Sequence, residues 1–206
     1  MQLIGMLDSP YVRRVAVAML TAKIRFEHRP ISLFRHIDAF AALSPLLKAP
    51  SLIAEDGAAL VDSNVILDYL ASRSPALAAL KPQRLPAFRA MATALTVMEK
   101  AVQLHYERAL RAPAEQSESW RARVRKQLHA GLDALEAEAP TGWYESSLGH
   151  ADITVACAAS FVRGMIGDLV AADDYPRLAA FAARAEALPA FLAAPAVDGV
   201  VAGALR

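Results

Sequence analysis

An α/β domain followed by an all-helical one is the fold class that this 206-residue chain predicts. Three observations lead there. Short strand-like segments interleaved with helical ones occur only before about residue 75. Three prolines, Pro75, Pro82 and Pro86, then mark a connecting stretch. Beyond it every apolar stripe recurs at helical spacing. The domains therefore read as 1–75, a linker over 76–85, and a helical bundle over 86–206.

The elements follow from local chemistry. Gln2–Met6 is a short apolar run that reads as a strand. Ser9 can cap the next helix, and Pro10 suits its first position because a missing N–H costs nothing there. Val12, Val15, Ala16 and Met19 carry that helix to about Ala22. Arg25–Leu33 alternates as a second strand ending near Pro30, and Asp38–Leu43 is a short helix stopped before Pro45. Ser51–Ala54 and Ala58–Val61 flank Glu55-Asp56-Gly57, a hairpin signal with glycine where positive φ is needed. Asp62-Ser63 starts another helix, with Val65, Ile66, Tyr69 and Leu70 expected on its inner face. Two parallel strands joined by a helix, then an antiparallel pair, make a thioredoxin-like arrangement. In the second half, Phe88, Met91, Leu95, Met98 and Val102 form one stripe. Trp120, Val124, Leu128, Leu132 and Leu135 form another. Asp152–Phe161 reads as a buried helix, and Pro176–Ala187 as a further one.

Composition narrows the function classes. With 55% hydrophobic and 21% charged residues, the chain can bury a sizeable core. A net charge of +1, with no basic stripe and interleaved aromatics, gives no nucleic-acid surface. The longest apolar stretches, such as Ile153–Val162, fall far short of the ~20 residues that span a bilayer. Met1-Gln2-Leu3-Ile4 lacks the features of a secretory leader. One cysteine, Cys157, forms no internal disulfide and reads as a buried, inert thiol, so a reducing cytoplasm is expected. His28, His36 and His150 show no ligand spacing, and no metal site is assigned.

Three short motifs can carry chemistry. Ser9 offers a hydroxyl donor at the positive end of a helix, and both favour an anion such as a thiolate. Only a few per cent of a thiol of pKa ~8.5 is ionised at neutral pH, so such help matters. Ser9 acting simply as a helix cap is the plainer reading. Pro50 opens the third strand; a cis Ala49–Pro50 bond there would turn the Ala49 backbone outward to meet a peptide. Asp62-Ser63 begins a helix whose N–H groups and hydroxyl can hold a carboxylate while Asp62 pairs with an ammonium. An ordinary Asp cap is the alternative. Lys48 is a plausible partner for another carboxylate.

Leu46-Leu47-Lys48-Ala49-Pro50-Ser51-Leu52, with Ser44-Pro45 ahead of it, resembles the strand-opening motif N-P-L-G-K-V-P-x-L of the glutathione S-transferase superfamily. Asp62-Ser63-Asn64-Val65-Ile66-Leu67-Asp68-Tyr69-Leu70 is similar to that family's E/D-S-x-x-I-x-x-Y-L. Gly149-His150-Ala151-Asp152-Ile153 resembles its S/T-x-A-D-I cap, with glycine in place of the capping hydroxyl. The resemblance implies that Ala49 and Pro50 present backbone to the cysteinyl part of glutathione. Asp62 and Ser63 would hold the γ-glutamyl end, Lys48 the glycyl carboxylate, and Ser9 would be the thiol-activating residue of serine-type classes. Tyrosine-type enzymes carry their tyrosine where this chain has Met6 and Leu7. Ser-Pro-Tyr-Val-Arg-Arg-Val is most similar to bacterial members of poorly defined substrate.

The same resemblance implies a homodimer and an acceptor pocket about Leu7, Tyr11, His105 and Tyr106 between the domains. The expected activity is glutathione transfer, in which glutathione, as co-substrate, attacks a small apolar electrophile. The alternatives are a non-catalytic interaction or stress-response adaptor, and a glutathione-dependent isomerase or dehalogenase. Two departures bear on catalysis. Asp8 precedes Ser9, and its charge would oppose a thiolate if aimed into the site. Leu47 and Ala49 replace the motif's glycine and valine.

Overall fold

The computed structural model describes residues 1–170 and 172–201. They divide into two compact units, residues 1–81 with the described chain from Glu186 on, and residues 82–185. The first unit runs β1 (Gln2–Ile4), α1 (Pro10–Thr21), β2 (Glu27–Arg29), α2 (Ile37–Ala41), β3 (Ser51–Ile53), β4 (Ala59–Val61), α3 (Ser63–Arg73) and α4 (Pro75–Ala78). Among the described residues the strands form one four-stranded sheet in the order β2-β1-β3-β4. β1 and β2 are parallel with α1 as their connection, and β1–β3 and β3–β4 are antiparallel. This is the thioredoxin-like arrangement that the element order predicts. In the hairpin, Gly57 takes φ 85° and the Asp56 carboxylate accepts from the Ala58 N–H at 3.0 Å.

α1 is buried along nearly its whole length, and the burial includes the neighbouring cations Arg13 and Arg14, each 1% exposed. A guanidinium keeps its charge at any ordinary pH, so burying one demands acceptors. Arg13 donates from both terminal nitrogens to the Glu186 carboxylate, each at 2.6 Å, and from Nε to the Ala194 carbonyl at 2.7 Å. Its guanidinium also lies 5.3 Å from the Phe191 ring centroid. Arg14 turns the other way, toward the start of α3.

His28 on β2 makes a second fastening. Its Nε2 is 2.8 Å from the Gly5 carbonyl, and its Nδ1 accepts from the Val201 N–H at 3.1 Å. An N–H donated into Nδ1 assigns the proton to Nε2, so the ring is held neutral. Burial lowers the His28 pKa below its ordinary 6.5, against the upward pull of its bond to Gly5.

The second unit holds α5 (Leu85–Leu110), α6 (Glu118–Glu138), α7 (His150–Ile166) and most of α8 (Pro176–Glu186), while α9 (Pro189–Ala193) belongs to the first unit. α7 is buried on almost every side. Its Asp152 is the structural residue that the capping motif implies, since it accepts from the N–H of Tyr144 at 2.9 Å and of Gly149 at 2.8 Å. A Cβ added at Gly131 would stand 2.6 Å from Val97 Cγ2, so glycine sets how closely α5 and α6 approach.

The faces that α5, α6 and α3 bury follow from packing, and on α3 they correct the sequence expectation. α5 buries Ala87, Ala90, Ala94, Val97, Met98, Ala101 and Leu104, while Phe88 is 48% exposed. Small side chains let helices approach closely, so an alanine face takes much of the core, and of the bulkier stripe only Met98 is fully buried while the rest lies at the flank. Trp120 is 42% exposed because it lies in the first turn of α6, before the buried stripe starts at Val124. On α3 it is Leu67 that packs inward, whereas Val65 is 51% exposed and Tyr69 half-buried.

Two predictions follow from these fastenings. Glu186→Ala leaves a buried guanidinium without its carboxylate and should cost about 3 kcal/mol, the low end for a broken buried pair because Glu186 is partly solvated. The check is the urea-denaturation midpoint. A histidine with a lowered folded-state pKa stabilises fully above its unfolded value and progressively less as pH falls below it, because the unfolded chain then binds more protons. The midpoint should therefore fall as pH drops below about 6.5, and the slope should flatten in His28→Gln.

Candidate functional site

Strand register brings the predicted motifs together. Ile4 on β1 pairs with Ser51 on β3, and Ser51 with Val61 on β4. The next residues beyond that row are Gly5, Pro50 and Asp62, so three loops leave the sheet at one end. The first leads through Leu7 and Asp8 to Ser9, the second carries Lys48-Ala49-Pro50, and the third turns directly into α3. Gly5 makes the crowding possible. It adopts φ 134°, and a Cβ there would lie 2.6 Å from Val12 Cγ2 and 3.2 Å from Ala49 Cβ. Any side chain would push the Ser9 loop away from Ala49.

The Ala49–Pro50 peptide is cis. The loop before it is fixed by Ser51, whose hydroxyl donates to the Lys48 carbonyl at 2.7 Å and lies 2.8 Å from Ser44 Oγ. Leu47 holds φ 49°, a left-handed conformation, at the place where the family motif has glycine. An L-residue there costs roughly 1–2 kcal/mol.

Ser9 is the N-cap of α1, and its Oγ accepts from the Val12 N–H at 3.4 Å. A hydroxyl that accepts still has its own proton to donate. Asp8, the worrying neighbour, acts electrostatically on Arg35, whose pKa is raised first by Asp198, its 2.6 Å ion-pair partner, and further by Asp8.

Asp62 caps α3 and accepts from the Asn64 N–H at 2.8 Å. Lys48 Nζ stands 3.1 Å from its other oxygen. Partial burial works to raise the Asp62 pKa, but the Asn64 N–H and Lys48 outweigh it and hold the carboxylate below its ordinary range. Asp62 has φ 72° and ψ 126°, a conformation that ordinary residues avoid. Strain of this kind costs about 1–3 kcal/mol and clusters at functional sites. Ser63, one residue on, is 3% exposed.

Ser63 Oγ is engaged from below by a residue that sequence reading missed. Arg14 on α1 donates from one terminal nitrogen to Ser63 Oγ at 2.9 Å and to Asn64 Oδ1 at 2.7 Å. Periodicity places Arg14 on a helix but carries no sign that its charge goes inward. The remaining predicted residues divide between the two units. Leu7 is fully buried and Tyr11 half-buried in the first unit. His105 and Tyr106 lie on α5 in the second, with the His105 ring centroid 5.9 Å from Tyr106 and 6.3 Å from Phe161. Among the described residues no cluster of histidine, cysteine or acidic side chains is arranged to hold a metal ion, and no helix is long and apolar enough to cross a membrane.

Known proteins share this frame. Residues 3–81 match the glutathione S-transferase N-terminal domain, and residues 118–184 match the glutathione S-transferase C-terminal domain. The uncharacterized GST-like protein YibF of Escherichia coli (strain K12) is 30% identical over 167 residues, covering 79% of this chain and 82% of that one. A glutathione S-transferase from Methylobacterium radiotolerans, crystallised with glutathione sulfonate, superposes with a TM-score of 0.84 at 26% identity over 93% of this chain and 92% of its own. Another from Methylobacillus flagellatus, with glutathione bound, gives 0.83 at 28% identity over 94% and 98%. With both domain types matched in order, a curated relative covering most of the chain, and the sheet, cis-proline loop and capped α3 in the corresponding sequence, this chain belongs to the glutathione S-transferase superfamily.

Proposed function

We propose that this protein binds glutathione at the loop end of its sheet and activates the thiol for attack on a small apolar electrophile. The observation that carries the reading is the register row that sets Ser9, Ala49-Pro50 and Asp62-Ser63 on three converging loops. The glutathione compounds held by the Methylobacterium and Methylobacillus structures support it. In this reading Ala49, ahead of Pro50, bonds the cysteinyl backbone. Asp62 takes the γ-glutamyl ammonium, Ser63 takes its α-carboxylate, and Lys48 leaves Asp62 for the glycyl carboxylate. The side chain of Lys48 is 55% exposed and free to make that move.

The Ser9 hydroxyl, backed by the positive end of α1, donates to the sulfur and favours the thiolate. The thiolate forms a carbon–sulfur bond with the electrophile. The displaced group leaves with the electron pair of its broken bond, or, in an addition, a solvent proton completes the product. The thiol's own proton goes to water. An isomerase or dehalogenase would use the same thiolate on a different second substrate. The adaptor reading rests on one observation, the Val12 N–H already directed at Ser9 Oγ. A reducing cytoplasm, which keeps glutathione as the thiol, is the compartment this chemistry needs.

The assembly proposed is a homodimer. Each unit separately leaves apolar surface open, Val65 on α3 and Leu85 and Phe88 on α5, and closed two-fold pairs are the commonest oligomers. Light scattering should give twice the chain mass at micromolar concentration, and Phe88→Glu should shift it toward the monomer. A monomeric wild type refutes the assembly.

Ser9→Ala tests the chemistry. Loss of one charge-assisted hydrogen bond should raise the pKa of bound thiol by about one to two units. Turnover of a generic electrophile near neutral pH should fall roughly tenfold or more, and the deficit should shrink as pH rises. Ultraviolet titration of the bound thiolate measures the shift. If wild-type protein binds glutathione without lowering its pKa, the adaptor reading takes its place.

A further inference from the structure

We infer that Arg14 is a positioning residue for the α-carboxylate of the bound peptide, acting through Ser63; this rests on the glutathione reading of the site. A guanidinium only donates. With an Arg14 terminal nitrogen at 2.9 Å from Ser63 Oγ, the serine oxygen must accept on that side. Its hydroxyl proton is thereby turned away from Arg14 and left to donate to an anion at the start of α3. Asn64 is set the same way, since Arg14 at 2.7 Å assigns its amide oxygen inward. The first turn of α3 thus has its side chains oriented before any ligand arrives.

Charge adds to orientation. Arg14 is 1% exposed, so water screens its field far less than that of a surface cation. An anion accepting from Ser63 Oγ would sit about 5 Å from the guanidinium, two hydrogen-bond lengths away around a bend. The full positive charge then reinforces the partial charge of the helix N-terminus. Asp62, by contrast, is partly exposed and negative beside the same turn. A buried cation behind Ser63 and an open carboxylate at Asp62 together fit a zwitterionic α-amino-acid end. Arg14 never touches the ligand in this arrangement.

The test compares two ligands by calorimetry. One is glutathione, and the other is 4-aminobutanoyl-cysteinylglycine, which keeps the ammonium and the rest of the peptide but lacks the α-carboxylate. Wild type should prefer glutathione. Arg14→Met should weaken glutathione about tenfold while changing the analogue less than about twofold, because the oriented Ser63 hydroxyl and the buried positive charge behind it matter only where a carboxylate is present. If Arg14→Met does not fold, the same comparison is made on Arg14→Lys, which keeps the charge but loses the planar fork, and a several-fold loss confined to glutathione is expected. In Ser63→Ala protein the Arg14 substitution should lose most of its effect. Equal weakening of both ligands, or of neither, overturns the inference and leaves Arg14 a purely structural residue. Wild-type protein that binds neither ligand overturns the glutathione reading, and this inference with it.

Discussion

A helix that buries two permanent cations side by side constrains everything packed against it. α1 holds Arg13 and Arg14 in the core, and neither can shed its proton to ease the desolvation. The fold supplies acceptors in two directions. Glu186 and the Ala194 carbonyl serve Arg13, and Ser63 and Asn64 serve Arg14. One short arginine pair therefore fixes both where the C-terminal segment lies and where α3 begins. The second of these is also where the proposed ligand contacts are concentrated.

The site itself is a product of register rather than of any long element. The strands are three residues each, too short to position anything alone. Their pairing aligns Ile4, Ser51 and Val61, and the loops beyond them inherit that alignment. Three of the positive-φ residues lie at the same edge. Gly5, Leu47 and Asp62 stand in the three loops beyond the last row, while Lys23 and Gly57 take positive φ in turns elsewhere. A scaffold that is regular up to its last row and strained just past it is suited to presenting polar groups outward.

Much of this was legible because it is local. Ser9-Pro10, the Asp56-Gly57 hairpin and the Asp62 cap are each written within a few residues, and each appears as read. Facing was harder. On α5 a stripe from Phe88 to Val102 is plain in the sequence, but its spacing does not say that the face at Ala87, Ala90 and Ala94, which packs more closely, enters the core. Arg14 was illegible for a different reason. Its partners, Ser63 and Asn64, lie some fifty residues away, and nothing in helical periodicity separates a solvated arginine from a buried one. The tie between His28 and Val201 is more remote still.

That last tie has a consequence for how the molecule is made. The sheet and its helices are encoded by residue 81, yet the unit they form also includes the chain from Glu186. A ribosome adding ~5–20 residues per second reaches that segment on the order of 5–20 s after the sheet has been synthesised. During that interval Arg13 lacks its carboxylate and His28 lacks the amide that locks its tautomer. The nascent first unit must wait, exposed to chaperones and proteases, while the helices encoded in between emerge. Its closure comes only after the second unit has been encoded, not before it.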